Sequence, residues 1–383
     1  MSNVLTSAIP QLLATGLMAL RQQAFWPRTV NRGFERLAGE KGSTIDVPIS
    51  SAITTQDVSP SNTPPSTADT NLDKVQITLD KWKEAPFYLT DKELLEVQPG
   101  VIPMQAQEAI KSLANQVNAD GFALYKSVYG YAGVAGTTPF GTDLSEAISA
   151  RKVLSTQLAP LSPRYMILDP TAEATALNLR ALQDASWRAN ASGLVEGQIG
   201  RIMGFDWYSH QLVPTHTAGT ITTGLIAKAA TAVAAGLKTC VATTAASTGA
   251  CALKTGDIIL FAGSTQTHTL TADATQASAA SDVTLTFTPG LAVALTGSEA
   301  ITVKASHVAN LAYHRDCFAF ASRPLETAVD TALNAVIRSI TDPESGLSLR
   351  LEITREHKRT RYSYDILYGV KCVRPELGCR VAG

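Results

Sequence analysis

Charge is scarce in this sequence. Only 17% of its 383 residues are Asp, Glu, Lys or Arg, and the formal net charge is −1. A chain so balanced has no overall field with which to collect nucleic acid or an anionic membrane surface, although it can stand beside DNA without gripping it. Cysteine is scarce too: Cys240, Cys251, Cys317, Cys372 and Cys379. The number is odd and no C-x-x-C occurs, which points to reduced, structural thiols in a protein made in a cytosol. Long apolar runs are missing, and no stretch reaches the length of a membrane span. Val4 to Leu20 is fairly apolar but is broken by Thr6, Ser7, Pro10 and Gln11 and has no basic leader, so no signal peptide is expected. The glycosylation triplet Asn190-Ala191-Ser192 therefore carries no meaning.

Catalytic motifs are absent as well. There is no phosphate loop, dinucleotide fingerprint, nucleophile elbow, H-E-x-x-H or calcium loop; Gly236-Leu237-Lys238-Thr239 falls short of the first of these. The histidines, His210, His216, His268, His307, His314 and His357, are scattered. His307 and His314 could meet other ligands in space, but no zinc-site spacing supports it. His314-Arg315-Asp316 matches a fragment of a kinase catalytic loop without the other kinase elements, and reads as strand-edge charges pairing with each other or with a neighbour. The basic turn His357 to Arg361 could touch phosphate, yet Glu352 and Glu356 lie alongside, which favours a solvated or subunit-facing charge cluster. No residue is singled out as catalytic, cofactor-binding or metal-binding, and no cofactor is expected.

What is present is periodicity. From Pro103 to about Tyr129 the residues Ile110, Leu113, Ala114, Val117, Gly121, Leu124, Tyr125 and Val128 share one helical face. Lys111, Gln116, Asn118, Asp120 and Lys126 fall mostly away from it. Such a helix is about 40 Å long. Gly121 costs about 1 kcal/mol against Ala in mid-helix, so another element is expected to approach there. A long surface helix of an α/β enzyme fits this stretch equally well.

Ahead of it, Ile9, Leu12, Leu13, Leu17 and Leu20 mark a short amphipathic helix. A basic, aromatic arm follows, with Arg21, Phe25, Trp26, Arg28, Val30, Arg32, Phe34 and Arg36. It reads as an extended arm across a neighbouring element, with a nucleic-acid arm as the alternative. Gly42 to Leu89 reads as a long β-hairpin with arms Ser43 to Ile49 and Lys74 to Asp80 and a proline-rich tip, Ser59 to Thr67. Trp82, Phe87 and Tyr88 are expected to lock its base. A lone two-stranded hairpin is marginal in water, so it needs a partner surface.

After the long helix come a second helix (Asp143 to Gln157), a buried strand (Pro163 to Leu168), a third helix capped by Asp169-Pro170, and a strand within Ile202 to Val213. From Thr217 to Ala305 the chain is rich in Thr, Ala, Ser and Gly. Short β-runs recur there: Asp257 to Ala262, His268 to Ala272, Val283 to Thr288 and Ala300 to Lys304. These predict a small all-β barrel or sandwich inserted into a host domain. His307 to Arg323 reads as one strand returning to the host. Leu347, Leu349, Leu351 and Ile353, then Tyr362, Tyr364 and Ile366, alternate as a second long hairpin with one buried face.

The order of these parts resembles the tailed-phage major capsid protein fold (HK97-like). Gly256-Asp257-Ile258-Ile259-Leu260-Phe261-Ala262-Gly263, the run Ala309 to Phe318 with Arg323-Pro324-Leu325-Glu326, and Tyr368-Gly369-Val370 with Arg374-Pro375-Glu376 resemble segments of P22-type coat proteins. The resemblance implies an α+β, HK97-like capsid fold with an inserted small all-β domain. It implies an N-terminal arm (1–41), an extended loop (42–89), and a peripheral domain (90–142 and 324–372) with a spine helix over 103–129. It further implies an axial domain (143–216, 307–323 and 373–383) and the insert (217–306). The insert is nearly free of basic residues, which departs from longer versions that carry intersubunit salt bridges.

The implied function is a structural, non-enzymatic major capsid protein that self-assembles into an icosahedral shell around double-stranded DNA. Expected partners are copies of itself in hexamers and pentamers, a scaffolding protein, a portal at one vertex, a decoration protein, and packaged DNA bound without sequence preference, with no membrane. The implied location is the virion shell, after assembly in a bacterial cytoplasm. An encapsulin-like compartment shell shares the fold, and an exported adhesin would account for the Thr-rich module but needs an export signal.

Overall fold

The computed structural model describes residues 24–34, 44–49, 55, 60, 73–92, 101–183, 197, 199–221, 224–228, 233–244, 251–276, 281–325, 336–342 and 345–383. The expected first helix and nearly all of the tip Ser59 to Thr67 lie outside them. The chain divides into two compact units: residues 1–23, 31–114 and 319–373 form one, and residues 24–30, 115–318 and 374–383 the other.

In the first unit, Thr44–Ile49 and Asp73–Thr78 pair antiparallel from Thr44↔Thr78 to Ile49↔Asp73. The alternation of their apolar residues puts Ile45, Val47, Ile77 and Leu79 on one face, packed against Ala319, Ala321 and Val373. The partner surface that the ribbon needs is supplied, for this face, within its own unit. Beyond Asp80 the chain joins a five-stranded sheet. Lys81–Thr90 pairs with Arg359–Cys372, which also pairs with Ser348–Glu356, followed by Val336–Thr341; Phe318–Arg323 lies beyond Arg359–Cys372. Leu347, Leu349, Leu351, Tyr364 and Ile366 are buried, as their alternation predicts. The three aromatics expected to lock the ribbon's base do so by different contacts: Phe87 stacks on Tyr362 at 5.1 Å, Trp82 Nε1 donates to Asp365 Oδ2 at 2.9 Å, and Arg359 lies 4.6 Å from the Tyr88 ring centroid. Trp82 and Tyr88 are 62% and 45% exposed because they project from the opposite, solvent face of the same strand.

The long helix runs Val101–Phe122 and then tightens into a 3₁₀ turn, Ala123–Ser127, instead of continuing to Tyr129. Val128 is extended, so the chain passes directly into the strand Gly130–Gly133. Ile110, Leu113, Ala114, Val117 and Tyr125 are buried, as the periodicity requires. Asn118 is buried too, contrary to its expected place on the polar side. Its Oδ1 accepts from the amides of Phe25 (3.2 Å) and Trp26 (3.0 Å), so its polarity is spent on backbone. Those amides start the short helix Trp26–Thr29. The Trp26 ring is fully buried against Phe122, Tyr313 and Phe318. A Cβ on Gly121 would lie 2.5 Å from the Trp26 ring, which supplies the close approach expected there. The described part of the basic segment is therefore an anchor, not a free arm.

The second unit holds a mixed sheet in the order Gly130–Gly133, Gly378–Ala382, His307–His314, Arg164–Leu168, Phe205–Ser209, Arg201–Ile202, with Thr215–His216 pairing His307–His314. The helices Ser145–Thr156 and Pro170–Leu177 flank it in sequence; Asp169 caps the latter through Thr171 N and Ala172 N. The stretch 307–323 is two strands, not one. A 3₁₀ turn, Arg315–Cys317, breaks it where the His314 ring accepts from Asp316 N.

Between His216 and His307, six strands close a barrel: Thr239–Thr244, Val283–Thr288, Thr267–Leu270, Ile258–Phe261, Ala300–Val303 and Leu225–Ala227. The threonine richness has a plain cause. In Val283–Thr288 the inward residues are Val283, Leu285 and Phe287, while Thr284, Thr286 and Thr288 face outward. β-Branched Thr suits a strand's wet face while leaving the core to apolar side chains. Among the described residues, no helix is long and apolar enough to cross a membrane.

A Gly121→Ala variant tests the Trp26 contact. Helix propensity alone favours Ala by about 1 kcal/mol. Overpacking against a fully buried ring costs about 1–3 kcal/mol, so the expected result is a lower thermal midpoint, with a rise counting against the contact.

Candidate functional site

A group of buried polar side chains lies where the chain leaves the mixed sheet for the barrel and returns. His216 and His307 are directly paired across the outgoing and incoming strands. His216 Nε2 lies 2.8 Å from Asp257 Oδ1 and its Nδ1 lies 3.0 Å from the Tyr125 hydroxyl. A carboxylate only accepts, so His216 donates from Nε2 and accepts from the Tyr125 O–H. Asp257, fully buried, also accepts from Gly219 N (3.1 Å) and Lys254 N (2.8 Å). A Cβ on Gly219 would come within 2.2 Å of the Ala252 carbonyl, so only glycine admits this approach.

Arg380 completes the group. The residues of Gly378–Ala382 are all buried, and Arg380 sits in their middle. Its Nε donates to Val128 O (2.9 Å), Nη1 to Gly256 O (2.7 Å), and Nη2 to Lys126 O (3.1 Å) and Thr269 Oγ1 (3.1 Å). The 3₁₀ turn after the long helix leaves the Lys126 and Val128 carbonyls free for this role. Two of these contacts belong to barrel residues and two to the segment leading into the sheet, so one guanidinium staples both. Burial pulls its pKa down to about 10, with Tyr125 and Asp257 acting the other way, so it stays cationic at neutral pH.

The chain Tyr125–His216–Asp257 has the order of a proton relay, but its surroundings suit structure. Burial raises the Tyr125 pKa, although Arg380, 5.1 Å from the ring centroid, opposes the shift. A buried, protonated phenol offers no nucleophile. A cavity of about 520 Å³ lies at another place, lined by Glu173, Arg201, Asp206, Trp207 and Tyr208 among others. There Arg201 and Asp206 meet as an ion pair (3.8 Å), not as a nucleophile with its base. Among the described residues, no cluster of three or more His, Cys, Asp or Glu could hold a metal ion.

The residues weighed from sequence fall elsewhere or into structural roles. His307 joins the buried group, whereas His314 lies at the 3₁₀ turn, 3.6 Å from Asp316. Arg315 Nε donates to Val30 O. In the basic turn, Arg359 pairs with Glu356 and Arg361 with Glu84, and both guanidinium groups lie over the Tyr88 ring. Cys240, Cys317, Cys372 and Cys379 are buried and form no disulfide; burial pushes the Cys240 and Cys379 thiols up to about 12, so those two are inert. Arg380 and Asp257 were not anticipated as a pair. The signal for Arg380 was there: a lone charge between Cys379 and Val381 in a strand without a polar face.

Arg380→Met removes four hydrogen bonds, leaves the Val128 and Gly256 carbonyls without their guanidinium donors and takes the buried positive charge away from Asp257. The expected loss is about 3–5 kcal/mol of stability, read by denaturant unfolding of the full chain. A change under about 1 kcal/mol would show that the staple is dispensable.

Residues 72–243 match the model of a family described as phage capsid protein. Among solved structures, that of Mycobacterium phage Che8 aligns at TM-score 0.53 and 14% identity, over 94% of this chain and 91% of that one. The capsid structure of the cyanophage P-SCSP1u aligns at TM-score 0.50 and 11% identity, over 89% and 84%. At such identities the likeness speaks for the fold. No curated protein sequence matches the chain.

Proposed function

We propose that the chain is a phage capsid structural protein, the major subunit of an icosahedral shell that encloses double-stranded DNA. The observation that carries this reading is the family match over residues 72–243, which spans the ribbon's second strand, the long helix and His216. Repetition supplies the energetics: modest contacts of each subunit with several copies sum over a closed surface. A net charge of −1 suits a wall that stands beside DNA without binding it tightly.

The finer assignment is HK97-like. The long helix and the sheet containing Ser348–Glu356 and Arg359–Cys372 would make the peripheral domain. The mixed sheet would make the axial domain, and residues 217–306 an inserted barrel. The ribbon would carry its tip, Ser59 to Thr67, to a neighbouring copy; its packed base makes it a stable lever for that reach. A scaffolding protein, a portal and a decoration protein are the partners such a subunit needs, and assembly would take place in the bacterial cytoplasm. An encapsulin-like compartment shell is the second reading; enzyme cargo in place of DNA inside isolated particles would favour it.

Expressed alone or with a scaffolding partner, the chain is expected to form closed particles in negative-stain micrographs. A compact monomer at high concentration overturns the reading. Deleting Ser59 to Thr67 is expected to leave circular dichroism and the thermal midpoint unchanged while impairing closure. Normal particles from that deletion would show that the tip has no part in assembly.

A further inference from the structure

The chain crosses between sheet and barrel twice, and a buried histidine stands at each crossing. His216 and His307 are paired in register, with ring centroids 5.3 Å apart. His307 Nδ1 donates to Ala305 O at 2.8 Å, and its Nε2 has no hydrogen-bond partner among the described residues. The Tyr131 ring meets it edge-on at 5.6 Å, with Lys304 over the other ring's face at 5.4 Å from that centroid. His216, itself bound to Tyr125 and Asp257, lies across the pair, and Arg380 and Asp257 act on it through space. Among the described residues the joint thus holds one buried cation, Arg380, and one buried anion, Asp257, which is already engaged by His216, Gly219 N and Lys254 N.

We propose that this joint is an acid-sensitive hinge: lowering the pH frees the barrel from the mixed sheet while the barrel itself stays folded. A proton on His307 has only Nε2 to occupy, where no acceptor waits, and it adds a second cation beside Arg380 with no second anion. The relief is local, because opening the joint hydrates His307 and leaves the barrel's own apolar core intact. Burial, the main cause, holds the closed-state pKa of His307 down at about 4, against an ordinary 6.5. A depressed histidine pKa means that the open form takes up the proton first. The closed joint therefore keeps its full stability above about pH 6.5 and loses it progressively as the pH falls toward about 4. Across that window the open fraction rises by roughly a hundredfold.

The test is hydrogen exchange of the full-length chain from pH 7.5 to 4.5, corrected for intrinsic exchange rates. The expected result is loss of protection in peptides spanning 215–219, 254–257 and 305–308, with the barrel strand Ile258–Phe261 still protected. His307→Phe keeps the ring packing and His307→Asn keeps a donor for Ala305 O; each is expected to abolish the acid response. His268, a second buried histidine inside the barrel whose pKa burial also lowers, is the control. If the wild-type joint stays protected at pH 4.5, if barrel core and joint open together, or if His268→Asn and not the His307 variants removes the response, the proposal is overturned. None of these outcomes depends on particle formation, so the hinge and the capsid reading stand or fall separately.

Discussion

A guanidinium with no water around it must be surrounded by acceptors, and in this protein that demand organises the join between barrel and sheet. Arg380 takes its acceptors from Lys126, Val128, Gly256 and Thr269. The carbonyls of Lys126 and Val128 are available only because the long helix ends in a 3₁₀ turn. Gly256 is offered by a backbone at φ +97, where glycine is at ease. A buried charge is weak evidence for stability in itself, since apolar replacements often do as well. What it provides is specificity: the guanidinium fork fits one arrangement of four acceptors and penalises the others.

The same device recurs in quieter form. Asn118 holds the amides of Phe25 and Trp26 from 92 to 93 residues away in sequence. Asn310 Oδ1 accepts from Asp169 N at 2.7 Å, linking a central strand to the start of a helix. Arg164, also buried, donates to the Pro160 and Ala159 carbonyls at 2.7 Å each and pins the loop ahead of its strand. In each case a side chain satisfies backbone groups that no regular element serves, as buried backbone requires. A low-charge chain holds its irregular segments this way, with few polar residues used deep inside. The net charge of the whole chain is only −1, which suits the shell subunit proposed above.

A relay-like order of side chains does not by itself make a catalytic site. Tyr125, His216 and Asp257 line up as a relay would, and His307 stands beside them. Chemistry also needs access, a developing charge to stabilise, and a group whose pKa lies near the working pH. Here burial moves the phenol up and His307 down, away from neutrality in both directions.

How much was legible in the sequence depended on the range of the forces involved. Local periodicity marked the long helix, the alternating strands Ser348–Glu356 and Arg359–Cys372, the Asp169 cap and the β-rich runs of the barrel, because the 3.6 and 2 residue repeats are imposed by neighbours along the chain. Mid-helix Gly121 also announced a close approach. Which side chain would come near was settled by Trp26, 95 positions earlier, folding back through Asn118. The break at Arg315–Cys317, the course of Lys81–Thr90 into a second sheet, and the exposure of Trp82 were decided by sheet pairing, which has no local signature. So was the meeting of Tyr125, His216, Asp257, His307 and Arg380. Composition and spacing determined the elements and the absence of recognisable catalytic motifs; only tertiary packing could bring five polar residues, spread over more than 250 positions, into one dry joint, because desolvation has no meaning until distant segments close around them.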